Sequence, residues 1–275
     1  MTSMIRLPLR HALVLAALLA VGFGVGTGRA AAADLVGRYQ VATTGIAIGQ
    51  AELALTGQGA AQSVGFSFEN GSLLGLVEAS STRMSGELAL KGGEVTPRSY
   101  RNQFRKSDRE REVRVTYGPQ GAIDRFELLK GGEVRFAKIP AGLPAGTMDP
   151  LTALLRLRGW LGSAMAGDVT ELAVFDGRKV YRTSLRYQGP VQTNQYGDSL
   201  AAHLVSVSYR QVAQLDEDKG TLRQEGDRER RLDLLLSADG RYLPLRVSGS
   251  FDGLPLTAEL DADCLGAAGC KPGKP

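Results

Sequence analysis

The chain has 275 residues, with 33 Lys+Arg, 29 Asp+Glu and two histidines. Residues 1–33 hold Arg6, Arg10, Arg29 and His11 and no acid, so without them 30 basic residues stand against 29 acidic ones and His203 is the remaining histidine. Such a near-neutral remainder offers no electrostatic footprint for nucleic acid, and any site that needs two histidines is excluded. The length suits one all-β domain or two small ones, and either can bury a core.

The first segment reads as a secretory signal peptide. Met1 to Arg10 is basic, Ala12 to Val25 is apolar, and Ala30 to Ala33 supplies the small residues of a cleavage site. Glycines at 22, 24, 26 and 28 interrupt the apolar run short of the roughly 20 residues that span a bilayer. No cysteine follows that run, so a lipid-modified N-terminal cysteine is not expected. The expected organisation is a signal peptide over 1–33, one β-rich domain over 34–263 and a tail over 264–275, in a periplasmic protein with no transmembrane segment in the mature chain. An oxidising compartment agrees with Cys264 and Cys270, whose five intervening residues include two glycines and allow a local disulfide. A loop that short is stabilised by only about 2 kcal/mol, which makes the bridge a clip on the C-terminus.

From Asp34 onward, short alternating runs punctuated by Gly, Pro or Asn predict half-buried strands. Tyr39 and Val41 share one face of the first; Ile46 to Leu55 forms the second, ending at Thr56-Gly57-Gln58-Gly59. Val64 to Phe68, Ala79 to Leu90, Arg98 to Phe104, Glu112 to Tyr117 and Ile123 to Leu129 follow. Ser72 to Val77 fits either a helical turn or a strand. Asp149-Pro150 opens a helix with an N-cap and a proline at its first position, and Gly159 is the expected stop. Leu151, Leu154, Leu155 and Arg158 share a face, and Leu157, Trp160 and Leu161 widen the apolar surface, so this helix should pack into the concave side of the sheet. Glu171 to Phe175 and Lys179 to Tyr187 form a hairpin around Asp176-Gly177, which suits a type I′ turn. Leu200 to Val212, Glu229 to Leu236, Leu245 to Phe251 and Leu256 to Leu260 complete the strands. Without a linker longer than 137–146, the pattern predicts a mainly β fold: one large curved antiparallel sheet forming an open or half barrel, with one principal helix against its concave side.

The order of these features resembles the bacterial exported family called domain of unknown function 3108. The resemblance rests on Tyr39-Gln-Val41 followed by Gly45-Ile-Ala-Ile-Gly49, on Thr96-Pro97-Arg98-Ser-Tyr100, on the helix from Asp149 to Arg156, and on Asp176-Gly177. It spans about Leu35 to Leu260 and departs at Thr152, where serine is the commoner residue. It implies a secreted or periplasmic open β-barrel holding a helix, similar in shape to envelope lipoprotein carriers and β-spiral proteins. It implies no catalytic residues, and fold likeness alone assigns no activity.

The side-chain inventory assembles no catalytic set. His203 shares a strand face with Val205, while Ser206 and Ser208 point the other way. Asp216-Glu-Asp218 and Asp261-Ala-Asp263 lack the spacing of a calcium loop, no Cys/His set has zinc spacing, and the glycine-rich turns lack the features of a phosphate loop, so neither a metal nor a cofactor is expected. The mixed-charge runs Arg105–Arg114 and Arg223–Arg231 read as solvated hairpins with cross-strand pairs. The expected function is therefore a non-enzymatic periplasmic protein that binds or carries an apolar or amphipathic, lipid-like ligand of the envelope, with Phe126, Leu154, Leu157, Trp160 and Phe175 lining its site. The alternative is a structural or interaction protein that supports envelope integrity through protein partners, with Arg109 and Arg111 on the contact surface.

Overall fold

A computed structural model describes residues 35–261, apart from 58–59, 71–78, 92–93, 108, 196, 227 and 252. The segment expected as a signal peptide, the 72–77 segment and the expected Cys264–Cys270 bridge lie outside the described residues.

Fifteen strands form one antiparallel sheet. The first eight are β1 (Leu35–Thr43), β2 (Ile46–Thr56), β3 (Ala61–Asn70), β4 (Ser80–Lys91), β5 (Glu94–Lys106), β6 (Arg109–Tyr117), β7 (Ile123–Lys130) and β8 (Glu133–Phe136). A helix, α1 (Pro150–Leu161), follows. Then come β9 (Val169–Phe175), β10 (Lys179–Gln195), β11 (Asp198–Asp216), β12 (Thr221–Gln224), β13 (Arg230–Ser237), β14 (Pro244–Phe251) and β15 (Leu254–Leu260). The spatial order runs β8 to β1 in reverse, then β15, β14, β13, β11, β10, β9, with β12 attached to β11. The first and last strands pair, Tyr39 opposite Leu260. The edges of the sheet are therefore β8 and β9, from the middle of the chain, and they are not paired with one another.

Alternation sets the inner face: Tyr39 and Val41, Ala51 and Leu53, Val64 and Phe66, Val113 and Val115, Leu234 and Leu236 are all buried. Bulges at Val41/Ala42, Glu87/Leu88 and Tyr187/Gly189 add local coiling to the twist of the strands. The helix fills the concave side as its composition requires, with Leu151, Leu154, Leu155, Leu157 and Leu161 buried. Each contributes roughly 2 kcal/mol of burial. Leu151 comes in over Gly86 on β4, where a β-carbon would stand 3.5 Å from its Cδ1.

Three local expectations change. The helix runs through Gly159 and is capped at Gly162, whose N–H bonds to the Arg158 carbonyl, because the apolar face extends to Leu161. The Asp176-Gly177 turn is not type I′: only Gly177 has positive φ (94°), and the Asp176 carboxylate accepts the N–H groups of Arg178 and Lys179 instead. Its second strand continues beyond Tyr187 to Gln195 through a bulge at Gly189 that turns the tip of the β10–β11 hairpin toward β14 and β15. There Gln195 Nε2 donates to the carbonyls of both Leu245 and Leu260, each at 3.1 Å.

Candidate functional site: the unclosed seam and the cavity beside it

The two edges are treated differently. β8 is four residues long with Glu133, Val134 and Arg135 exposed, a short charged edge that resists pairing with other chains. β9 is partly covered by the connection 137–149, which crosses the gap as a strap. Ala141 makes a parallel bridge to Thr221 of β12, and Met148 one to Val174 of β9, with Met148 N–H on Ala173 O at 3.0 Å and Phe175 N–H on Met148 O at 2.8 Å.

Side chains join what the backbone leaves open. Phe126 of β7 stacks at a tilt against Phe136 of β8 and Phe175 of β9, with centroids 6.0 and 5.7 Å apart. Asn102 Nδ2 donates to the Asp176 carbonyl at 3.3 Å. Asp149, the N-cap of α1, accepts from Thr152 N–H at 2.9 Å, from Thr152 Oγ1 at 2.6 Å and from Tyr117 OH at 3.0 Å, so one carboxylate fastens the helix to β6. Burial pushes the Asp149 carboxyl above its ordinary range while those donors pull it down. Burial also raises Asp176, against the pull of the Lys179 and Arg178 amides. Glu217, on the turn from β11 to β12, is ion-paired with Arg111 of β6 and Lys130 of β7, and its Oε1 lies 3.9 Å from Arg178 Nε.

Beside the strap lies a cavity of about 360 Å³, walled by Pro97, Ile123, Ile139, Pro140, Leu143 and Met148, with the exposed Arg156 of α1 as its charged group. The β6–β7 turn, Gln120 to Ala122, forms its other side. Prolines and glycines in 139–146 turn the strap twice, with Leu143 N–H on Pro140 O and Thr147 N–H on Pro144 O, each at 3.3 Å, which is why apolar side chains there face a cavity and not a sheet. A second hollow, about 600 Å³, lies on the outer face of β2–β6 because the outward residues Ala54, Gly65, Ser85 and Ser99 are small. Its rim carries Arg101 and Arg114, both bound to Glu112. Partial burial pushes the Glu112 carboxyl up, but the hydrogen bonds of Arg101 and Arg114 outweigh it and hold it at about 2.

Of the residues expected to line a ligand site, Phe126 and Phe175 meet directly at the seam, while Leu154 and Leu157 lie in the packed core with exposures of 2% and 1%. Trp160 is half-buried against that core. Phe136, Ile139, Leu143 and Arg156 are not among the expected lining residues; the signal for Ile139 and Leu143 is the Pro/Gly-rich stretch 137–146, which reads simply as a connection, and Arg156 lies on the predicted helix with nothing to mark it as facing a cavity. His203 faces inward near Val205, with its Nδ1 2.7 Å from Tyr187 OH and its ring 5.4 Å from that of Tyr242, and burial lowers its pKa. Ser206 points outward to Asp233. The run 105–114 does form a hairpin with cross-strand pairs such as Arg105–Glu110, but Arg111 is turned into the seam and is not a contact-surface charge. In 223–231 the pairs are local, Arg223 with Glu225 and Arg231 with Glu229.

Among the described residues, these features define an unclosed, β-barrel-like domain plugged by one helix, with a strapped seam. The chain belongs to the family described as protein of unknown function (DUF3108), the domain of unknown function 3108, which matches residues 38–261. A beta-barrel-like protein of domain of unknown function DUF1849 from Brucella abortus is similar at 10% identity, over 85% of this chain and 97% of that one, with a TM-score of 0.49. The hypothetical lipoprotein YmcC from Escherichia coli is similar at 7% identity, over 83% of each chain, with a TM-score of 0.32. Among curated proteins no match is found. Among the described residues no helix is long and apolar enough to cross a membrane.

Proposed function

We propose that this chain is an exported, periplasmic protein that binds or carries an apolar or amphipathic, lipid-like ligand without transforming it. The observation that supports this most directly is the 360 Å³ cavity beside the strap, within the size range of small-molecule sites, whose lining mixes apolar side chains such as Ile123, Ile139 and Leu143 with polar surface from Gln120 and Thr147 and one cation, Arg156. Ile139 stands 45% exposed at its wall, an apolar surface that a ligand would cover. A chain segment would lie along Ile123, Leu143 and Met148, and a polar or anionic end would face Arg156. The alternative, an envelope interaction protein acting through protein partners, draws on the 600 Å³ hollow of the outer face, whose ion-paired rim suits a protein surface.

Native mass spectrometry of the purified protein, with extraction of what it carries, distinguishes them. The ligand reading expects a stoichiometric adduct recovered as an amphiphile, and its loss in Ile139→Asp with the fold intact. A bare mass from wild-type protein, with no uptake of added fatty acid, overturns it and leaves the partner reading.

A further inference from the structure

Three cations converge on one carboxylate at the seam. Arg111 and Lys130 take the two oxygens of Glu217, and Arg178 stands 3.9 Å from Oε1, beyond hydrogen-bond length. The Nε of Arg178 is buried and makes no hydrogen bond. A guanidinium N–H sheltered from solvent and left without an acceptor is unfavourable, since its desolvation is not offset.

The neighbouring acids offset the charge only in part, Asp176 being the one that acts on Arg111 and Arg178. Asp176 is spent on the N–H groups of Arg178 and Lys179, and its burial favours the neutral acid. Asp216 accepts the N–H groups of Asp218 and Lys219, Glu110 pairs with Arg105, and Glu133 pairs with Arg135. Glu217 and Arg111 are only 16% and 23% exposed as side chains, so water screens the mutual repulsion of the cations weakly. Burial depresses the Arg111 pKa; Glu217 counters this, the like charge of Arg178 adds to the depression, and the nearby Asp176 opposes it.

We propose that Arg111, Lys130 and Arg178 form a binding site for an anionic oxygen group, a phosphate or carboxylate, for which the Glu217 carboxylate is the chain's own occupant. The buried Arg178 Nε and the forks of two arginines suit such a group geometrically, because guanidinium donors meet two oxygens at once. Lys130, 44% exposed, opens the cluster to solvent on one side. An incoming anion competes with Glu217 for the same donors, so the β11–β12 turn loses its tether as the anion binds. This site is separate from the strap cavity and does not depend on a ligand there.

The competition gives the test a sign that a purely structural ion cluster lacks. Inorganic phosphate is titrated into wild-type protein, Glu217→Gln and Arg178→Gln, with binding read by isothermal calorimetry and by thermal shift. The expected result is about tenfold tighter phosphate binding in Glu217→Gln than in wild type, and loss of binding in Arg178→Gln although it remains folded. If Glu217→Gln binds phosphate no better than wild type, or Arg178→Gln binds it equally well, the proposal is overturned. Flotation with phosphatidylcholine vesicles, with and without phosphatidate, separates the sources. Phosphatidate-dependent recruitment of Glu217→Gln identifies a lipid headgroup; phosphate binding without recruitment identifies a free anion.

Discussion

Phe136 lies so close over Gly220 that a β-carbon at Gly220 would stand 2.2 Å from the ring, and across the same seam one at Gly177 would stand 2.4 Å from Cγ1 of Val113. Both glycines have positive φ, 65° and 94°. The neighbours differ in their freedom to yield. Phe136 belongs to a short edge strand and is half-buried, whereas Val113 is a β-branched residue buried within β6. Gly177→Ala is therefore expected to cost roughly 3 kcal/mol or more, and Gly220→Ala roughly 1–2 kcal/mol, mostly the conformational part. Urea unfolding of the two variants checks the order. Adding Val113→Ala to Gly177→Ala should recover part of the loss beyond additivity, because the clash is pairwise; strict additivity would contradict the contact.

The strands and the helix were legible because burial on one face enforces alternation, as in Tyr39 and Val41, and because Asp149-Pro150 marks a helix start chemically. The seam was not. Nothing in the period of β7 or β9 tells that Phe126 and Phe175, 49 positions apart in the numbering, meet across a gap, and strand order is a property of long-range pairing. The strap is invisible for a different reason: residues 137–149 make isolated bridges through Ala141 and Met148 and so follow no alternation. The sequence marks Asp176 only as a turn former, whereas its buried carboxylate accepts two backbone amides and, at 3.5 Å, the Tyr181 hydroxyl, a role that its sequence neighbours do not distinguish.

At the hairpin tip, Gln195 is one side chain bridging two carbonyls, that of Leu245 on β14 and that of Leu260 on β15. Gln195→Ala removes the donor from both, an expected loss of about 2 kcal/mol. The effect should be local, since the tip joins the rest of the sheet beyond the bulge at Gly189. Hydrogen exchange is expected to accelerate over 190–201 while amides of β13 and β14 keep their protection. Uniform acceleration across the sheet would show that the tip is part of the global unit.

The Arg101–Glu112–Arg114 cluster carries a pH signature of known sign. Glu112 is held at about 2, against an ordinary 4.5. A carboxylate whose pKa is depressed on folding contributes stability that is present above 4.5 and lost as pH falls toward 2. Both arginines are about half exposed, so solvent screening reduces the contribution to about 1 kcal/mol. Wild type should exceed Glu112→Gln by that margin at pH 6, and the two should converge near pH 2. A difference that is constant with pH would mean that the charge of Glu112 is not what stabilises the outer face.

Asp149 carries the opposite signature. Its carboxyl is raised above 3.8 by complete burial, so the folded state holds its proton more tightly than the unfolded chain does. The stability linked to this is fully present below pH 3.8 and is lost as pH rises through the raised value. Asn in its place keeps an oxygen to accept from Thr152 N–H, and its amide N–H can donate to the Thr152 or Tyr117 hydroxyl, since either hydroxyl accepts as well as donates. Asp149→Asn should then stay within about 1 kcal/mol of wild type at pH 7 and respond less to pH between 4 and 7. Asp149→Ala, which removes the acceptor of all three bonds, should lose roughly 2–4 kcal/mol at every pH. Asp176, raised for the same reason, supplies the residual slope in Asp149→Asn, and Asp176→Asn added to it should flatten the profile further. Urea midpoints at pH 4, 5.5 and 7 decide this: an Asp149→Asn profile parallel to that of wild type would show that the Asp149 carboxyl titrates alike in the folded and unfolded chain.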